Sequence, residues 1–459
     1  MKAPWASRCR SLVNRADGRN ESALGPSGPQ LMMGKRVRPK MITLVEAKGF
    51  RSLKYVSRPL DNFMVLVGPN ASGKTSFLDT IGFISDLLRD GPDAAVRLRT
   101  DTGDVRHLSW NRKDDSFELA IQMTIPPYIR AKLPNGGHNQ CRYEVAVGYD
   151  ESSGIVRVLG EQFWLIRTDT RPRAPQQRSV FPASFDPPRT ILTTGKTPPG
   201  WRKIVNKVRD SGNDYFRSET GKWNNLFRLG PHKAALANLP EDQDKFPVAS
   251  WAKRWLMEGV QTLILNSRAM RRPSSPRSPR TYQPDGSNLA LVVSELHRRN
   301  KAAFDQWIDH VRTALPELDS IRIAQRPEDR HLYLVAQYAS GLEVPSWLIS
   351  DGTLRLIALT LLAYLPVQGT YLIEEPENGI HPKAVETVFQ SLSSVYEAQV
   401  LIATHSPVIL NLADPSQVLC FARTSEGATD IVLGIEHPRL RDWQGEVELG
   451  TLLASGVLG

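Results

Sequence analysis

Eight consecutive residues, Gly68-Pro69-Asn70-Ala71-Ser72-Gly73-Lys74-Thr75, leave this chain little freedom in how it folds. They match the pattern G-x-x-x-x-G-K-[ST] and lie between an apolar run, Phe63 to Val67, and a stretch from Thr75 to about Leu88 with helical periodicity. A strand, a glycine-rich turn and a helix in that order gather backbone N–H groups around an anion at the positive end of the helix. Lys74 is expected to bridge the β- and γ-phosphates of a nucleotide, and the Thr75 hydroxyl to ligate Mg²⁺. Ser76 continues the phosphate-facing turn. The octapeptide therefore predicts ATP and Mg²⁺ as cofactors.

Three later segments bear on the same chemistry. In Tyr371-Leu372-Ile373-Glu374-Glu375-Pro376 an apolar strand ends in two carboxylates, and proline stops the ladder. Glu374 is the expected Mg²⁺ ligand and Glu375 the catalytic group that polarises water. A second apolar strand, Gln399 to Ala403, ends in Thr404-His405-Ser406-Pro407. His405 would then stand at a strand's C-terminal edge, able to donate to a terminal phosphate; taken alone, it fits a cap or core position as well. In Ile349-Ser350-Asp351-Gly352-Thr353, Ser350 reads as an N-cap and Gly352 as a point of backbone access. An ordinary capped helix accounts for that segment equally well.

The strands at 370–374 and 399–403 flank a helix near 382–396, a parallel β-α-β pattern. Segments 117–125, 142–149 and 155–166 are rich in β-branched and aromatic residues and read as antiparallel strands. The expected class is α/β, a mixed sheet with flanking helices, carrying a mainly helical and loop insert.

Charge separates the 459 residues into regions. Residues 1–40 carry net +7 and 167–282 net +13, so a total of +10 leaves −10 for the remainder. Residues 1–40 lack apolar periodicity and read as a basic disordered extension. Residues 41–166 read as an N-terminal lobe and 283–459 as a C-terminal lobe. The basic stretch 167–282 holds 13 of the 33 prolines and reads as an insert, with short helices at 200–210 and 248–259. Its charge suggests a polyanion such as DNA; a solvated arginine-rich face is the plain alternative. Three scattered cysteines (Cys9, Cys141, Cys420) suit a cytoplasmic protein, and no apolar stretch is long enough to span a membrane.

In chain order these motifs resemble the ABC-type ATPases of the AAA group, in their RecF/SMC/OLD-related branch. Ser350 and Gly352 match that family's signature, whereas Asp351 and Thr353 depart from it. The stretch Glu374 to Pro382 and Thr404 to Pro407 are similar to OLD-related bacterial ATPases, and Phe50-Arg51-Ser52 to the turn whose arginine lies near the nucleotide. Glu374 stands where the family has Asp, and Asn378 to His381 departs from the usual D-loop. The resemblance implies ATP hydrolysis in a head-to-tail homodimer, each P-loop completed by Ser350 of the other copy. It also implies a role in bacterial antiviral defence beside a separate effector, as in methylation-associated systems, which the run Gly445 to Gly459 resembles weakly. A RecF/SMC-like repair or chromosome-maintenance ATPase is the alternative. With 54 residues after His405, no separate nuclease domain is expected.

Overall fold

The computed structural model describes residues 41–112, 114–134, 137–150, 154–168, 178–208, 214–366, 368–440 and 448–456. The extension assigned to 1–40 lies outside the described residues, as do 445–447 and 457–459 of the Gly445 to Gly459 run.

Seventeen strands are described, forming three sheets. In chain order they are β1 (Ile42–Phe50), β2 (Leu53–Pro59), β3 (Phe63–Val67), β4 (Ser116–Thr124), β5 (Gln140–Asp150), β6 (Ile155–Ile166), β7 (Trp201–Val208), β8 (Tyr215–Arg217) and β9 (Asn224–Leu226). There follow β10 (Val260–Leu263), β11 (Leu318–Gln325), β12 (Leu332–Tyr338), β13 (Glu343–Pro345), β14 (Gly369–Glu374), β15 (Ala398–Ala403), β16 (Val418–Arg423) and β17 (Thr429–Leu433).

The central sheet runs β10-β14-β15-β3-β16-β17 and is parallel except for β17. Apolar residues occupy both of its faces because both are covered. Met64, Leu66, Leu372, Leu401 and Phe421 enter the core on one side. Val65, Val67, Ile373, Ile402 and Cys420, one residue out of phase, enter the core on the other. Helix Lys74–Asp90 packs on the first side, and helices Leu289–Arg299, Lys301–Ala314, Asp351–Leu361 and Pro382–Ser394 on the second. The mixed α/β class expected from sequence is the one observed.

The second sheet, β2-β1-β4-β5-β6-β7-β8-β9, is wholly antiparallel. Its inner face packs on helix Lys74–Asp90 through Phe50 and Phe117, whose rings meet each other and Phe83 of the helix at 4.8–5.7 Å. Here the expectation for 167–282 needs correction. Residues 201–208 are not a helix but β7, paired to β6 along its length. The stretch expected to be mainly helical and loop also supplies β8 and β9 to this sheet and β10 to the central one. Ile204 and Val205 supply the apolar content of β7, while its three cations disguise the strand: Lys203 lies over the Trp164 ring at 4.6 Å and Lys207 donates to the carbonyls of Gly230 (3.1 Å) and Lys233 (2.6 Å). The short helix expected at 248–259 is present, as Pro247–Arg254 continued by a π-helical turn, Trp255–Gly259.

Candidate functional site

The parallel register decides where the motifs meet. Glu374 stands opposite Ala403, Ala403 opposite Leu66, and Leu66 opposite Leu419. β14, β15 and β3 therefore end within one residue of a common line, at the C-terminal edge where open α/β sheets bind ligands, and β16 runs past it to Arg423. Around that edge lies a cleft of about 400 Å³, lined by Asn70 to Ser76, Glu374, Glu375, Ala403, His405, Ser52 and Arg423.

The P-loop is shaped by close packing. Gly68 (φ 149°) and Gly73 (φ 106°) have backbone that other residues rarely adopt. A Cβ at Gly68 would lie 2.2 Å from the Phe421 carbonyl, and one at Gly73 2.1 Å from Thr429 Oγ1. Neither glycine can be replaced without moving β16 or β17. Lys74 Nζ donates to the carbonyls of Gly68 (2.8 Å) and Pro69 (2.9 Å). Burial lowers its pKa to about 8, opposed by the nearby Glu375 and Glu374 carboxylates. The Ser72 hydroxyl is buried and has no hydrogen-bond partner among the described residues. A helix N-terminus, a half-desolvated lysine and an orphaned hydroxyl fit a phosphate chain.

Thr75 Oγ1 donates to Glu374 Oε2 at 2.7 Å. A hydroxyl and a carboxylate side by side suit Mg²⁺, which completes its octahedron with water and phosphate oxygens. Among the described residues no group of three or more His, Cys, Asp or Glu could hold a metal unaided. Alternation along a strand would send Glu375 to the opposite face from Glu374. Instead the strand stops at Glu374, and Glu375 turns into the left-handed region (φ 46°), its N–H donating to the Ala403 carbonyl at 2.7 Å. Both carboxylates thereby line the same cleft. The Asn378 side-chain amide donates to Glu375 Oε2. Burial and the Lys74 charge lower the His405 pKa, partly offset by Glu375 and Glu377, which favours the neutral ring.

Three expected residues stand apart. Arg51 does not line the cleft: its guanidinium pairs with Asp79 at 2.8 Å on helix Lys74–Asp90, and its neighbour Ser52 faces the site. Ser350 caps helix Asp351–Leu361 through the Thr353 N–H (3.2 Å), is exposed, and does not line this cleft. Gly352 is glycine for a packing reason, since a Cβ there would meet the Gly379 carbonyl at 2.4 Å. Conversely, sequence reasoning missed Glu377, Thr429 and Arg423. Glu377 Oε1 accepts from Thr404 Oγ1 (2.5 Å) and the His405 N–H (3.2 Å), fixing the end of β15. The stretch Glu374-Glu375-Pro376-Glu377 held the signal for it; nothing near 423–429 did.

Residues 63–411 match the family described as "AAA domain, putative AbiEii toxin, Type IV TA system". The chain belongs to that family. No curated protein matches it. Among solved structures it is similar to an SMC head bound to the C-winged helix domain of ScpA, at 16% identity and TM-score 0.50, with 85% of this chain and 97% of that one covered. It is also similar to the SMC head domain with an extended coiled coil bound to the C-terminal domain of ScpA from Pyrococcus furiosus, at 14% identity and TM-score 0.48, with coverage of 85% and 96%. The first likeness establishes the fold of an SMC head.

Proposed function

We propose that this AAA-family chain binds ATP with Mg²⁺ and hydrolyses it to ADP and phosphate as a nucleotide-dependent dimer switch. The observation that supports this reading is the single cleft shared by Lys74, Thr75, Glu374, Glu375 and His405. In it Lys74 Nζ exchanges the Gly68 and Pro69 carbonyls for phosphate oxygens. Thr75 and Glu374 would hold Mg²⁺, which supplies charge neutralisation at the phosphates. Glu375, oriented by Asn378, accepts a proton from the attacking water. Neutral His405 donates to the terminal phosphate from the edge of β15.

The exposed Ser350 helix end supports a head-to-tail homodimer, in which it completes the other copy's site. Glu375→Gln is expected to keep ATP affinity and lose about 100-fold in turnover. With MgATP this variant should double its mass by light scattering, and adding Ser350→Arg should return it to monomer. Wild-type turnover in Glu375→Gln contradicts the assignment.

The family's description as a toxin–antitoxin component supports a place in bacterial antiviral defence with a separate effector protein. The SMC-like head fits the repair reading equally well and favours neither. A DNA partner is proposed from charge. Arg280, Arg298 and Arg299, all more than 60% exposed, share the single carboxylate of Glu295. DNA affinity that falls steeply as salt rises checks this surface; salt-independent binding contradicts it.

A further inference from the structure

Arg423 ends β16, and its register partner across the hairpin is Thr429. Directly opposed residues of an antiparallel pair project to the same face. Thr429 faces the P-loop, its hydroxyl donating to the Ser72 carbonyl at 2.9 Å and sharing a hydrogen bond with Ser52 Oγ at 2.8 Å. Arg423 is directed the same way and lines the nucleotide cleft. Its Nε donates to the Gly427 carbonyl at 3.2 Å, which steadies the guanidinium without neutralising it. Of the carboxylates on the same hairpin, Glu426 is engaged by Lys54 at 2.7 Å and by Ser184 at 3.0 Å, and Asp430 by Arg178 at 2.9 Å. Among the described residues Arg423 has no ion-pair partner.

An exposed guanidinium with no counter-charge, in a cleft built around a phosphate turn, recruits an anion. Its place along the phosphate chain follows from its neighbours. Ser52, which bonds Thr429, also donates to Ser76 Oγ in the first turn of helix Lys74–Asp90 (3.2 Å). Glu374, Glu375 and His405, which serve the terminal phosphate, come instead from the ends of β14 and β15. In the sheet order these strands lie on one side of β3, and β16 and β17 on the other. We propose that Arg423 is a second cation of the cradle and binds the nucleotide at its α-phosphate, the end nearer the nucleoside. The assignment rests on the nucleotide-binding reading above.

Isothermal titration with ATP and with ADP, each with Mg²⁺, tests it on the full chain. Arg423→Ala is expected to weaken both nucleotides by the same factor, about tenfold, because both carry the α-phosphate. Arg423→Lys should recover part of the loss. Since the side chain is exposed, the melting temperature without nucleotide should match wild type. Unchanged affinity for both nucleotides overturns the proposal, and so does a loss confined to ATP, which would place Arg423 at the γ-phosphate. A wild-type chain that binds neither nucleotide defeats the site reading itself, whereas wild-type binding with an indifferent Arg423→Ala defeats only this inference.

Discussion

Two regions of the molecule bury charge, and they do so in opposite ways. On the outer face of the antiparallel sheet, Glu144 is fully buried, and its carboxylate accepts from Arg142 Nε (2.6 Å), Trp164 Nε1 (3.3 Å), the Thr193 N–H and the Thr193 hydroxyl (2.7 Å each). On the opposite, core-facing side of that sheet, Glu161 accepts from the N–H groups of Ala235 (2.5 Å) and Leu236 (2.7 Å) and from the Tyr143 hydroxyl. Every acceptor there is engaged by the protein itself. In the cleft at the edge of the central sheet, Lys74 leans on two carbonyls, the Ser72 hydroxyl has no partner, and Arg423 has no carboxylate. The first arrangement is complete and holds structure; the second leaves polar groups that the proposed function assigns to an anion.

The sharpest way to break this contrast is at Glu144. Glu144→Ala strands the Arg142 guanidinium in the interior, where only Glu46 remains as counter-ion, and is expected to cost about 3–5 kcal/mol of stability in denaturant unfolding. The molecules that stay folded should bind nucleotide as wild type does. If stability is unchanged, the network is not structural; if affinity collapses in folded protein, the two regions are not separable.

A smaller effect follows from Lys74, whose pKa in the free protein is about 8. Phosphate oxygens restore the charge, so the bound state holds more protons than the free state around pH 8. Affinity is then fully present below pH 8 and is lost as pH rises through it, by about threefold between pH 7.5 and 8.5. Calorimetry in buffers of different ionisation enthalpy should register the matching proton uptake. A flat profile over that range contradicts a desolvated Lys74.

The contrast also explains what could be read in the sequence. Motifs whose spacing is fixed by local geometry were legible: the P-loop, the paired carboxylates ending β14, the histidine after β15 and the Ser350 cap. Each is contained within one strand end or one helix end. Glu377 clamps His405 across 28 positions, and Thr429 reaches Ser52 across 377. No local pattern encodes such meetings; the pairing of β14 with β15 creates the first, and the packing of β17 against the turn between β1 and β2 creates the second. The strand β7 was hidden for a different reason. Its charged residues are half-buried or buried and engaged by a tryptophan face, by Asn206 Oδ1 and by carbonyls, so composition suggested a solvated segment where the fold has a sheet. Gly352 shows a further ambiguity, since a glycine demanded by a neighbouring carbonyl looks the same in sequence as one that admits a ligand.

The central claim is that the incomplete cleft is completed by a triphosphate. Titration calorimetry of the wild-type chain with MgATP, set beside Lys74→Ala, tests it most directly. Saturable binding at one site per chain, weakened about 100-fold or more in Lys74→Ala while the melting temperature without nucleotide is retained, is the expected result. Absence of binding by the wild-type chain, or equal binding by both proteins, contradicts the account.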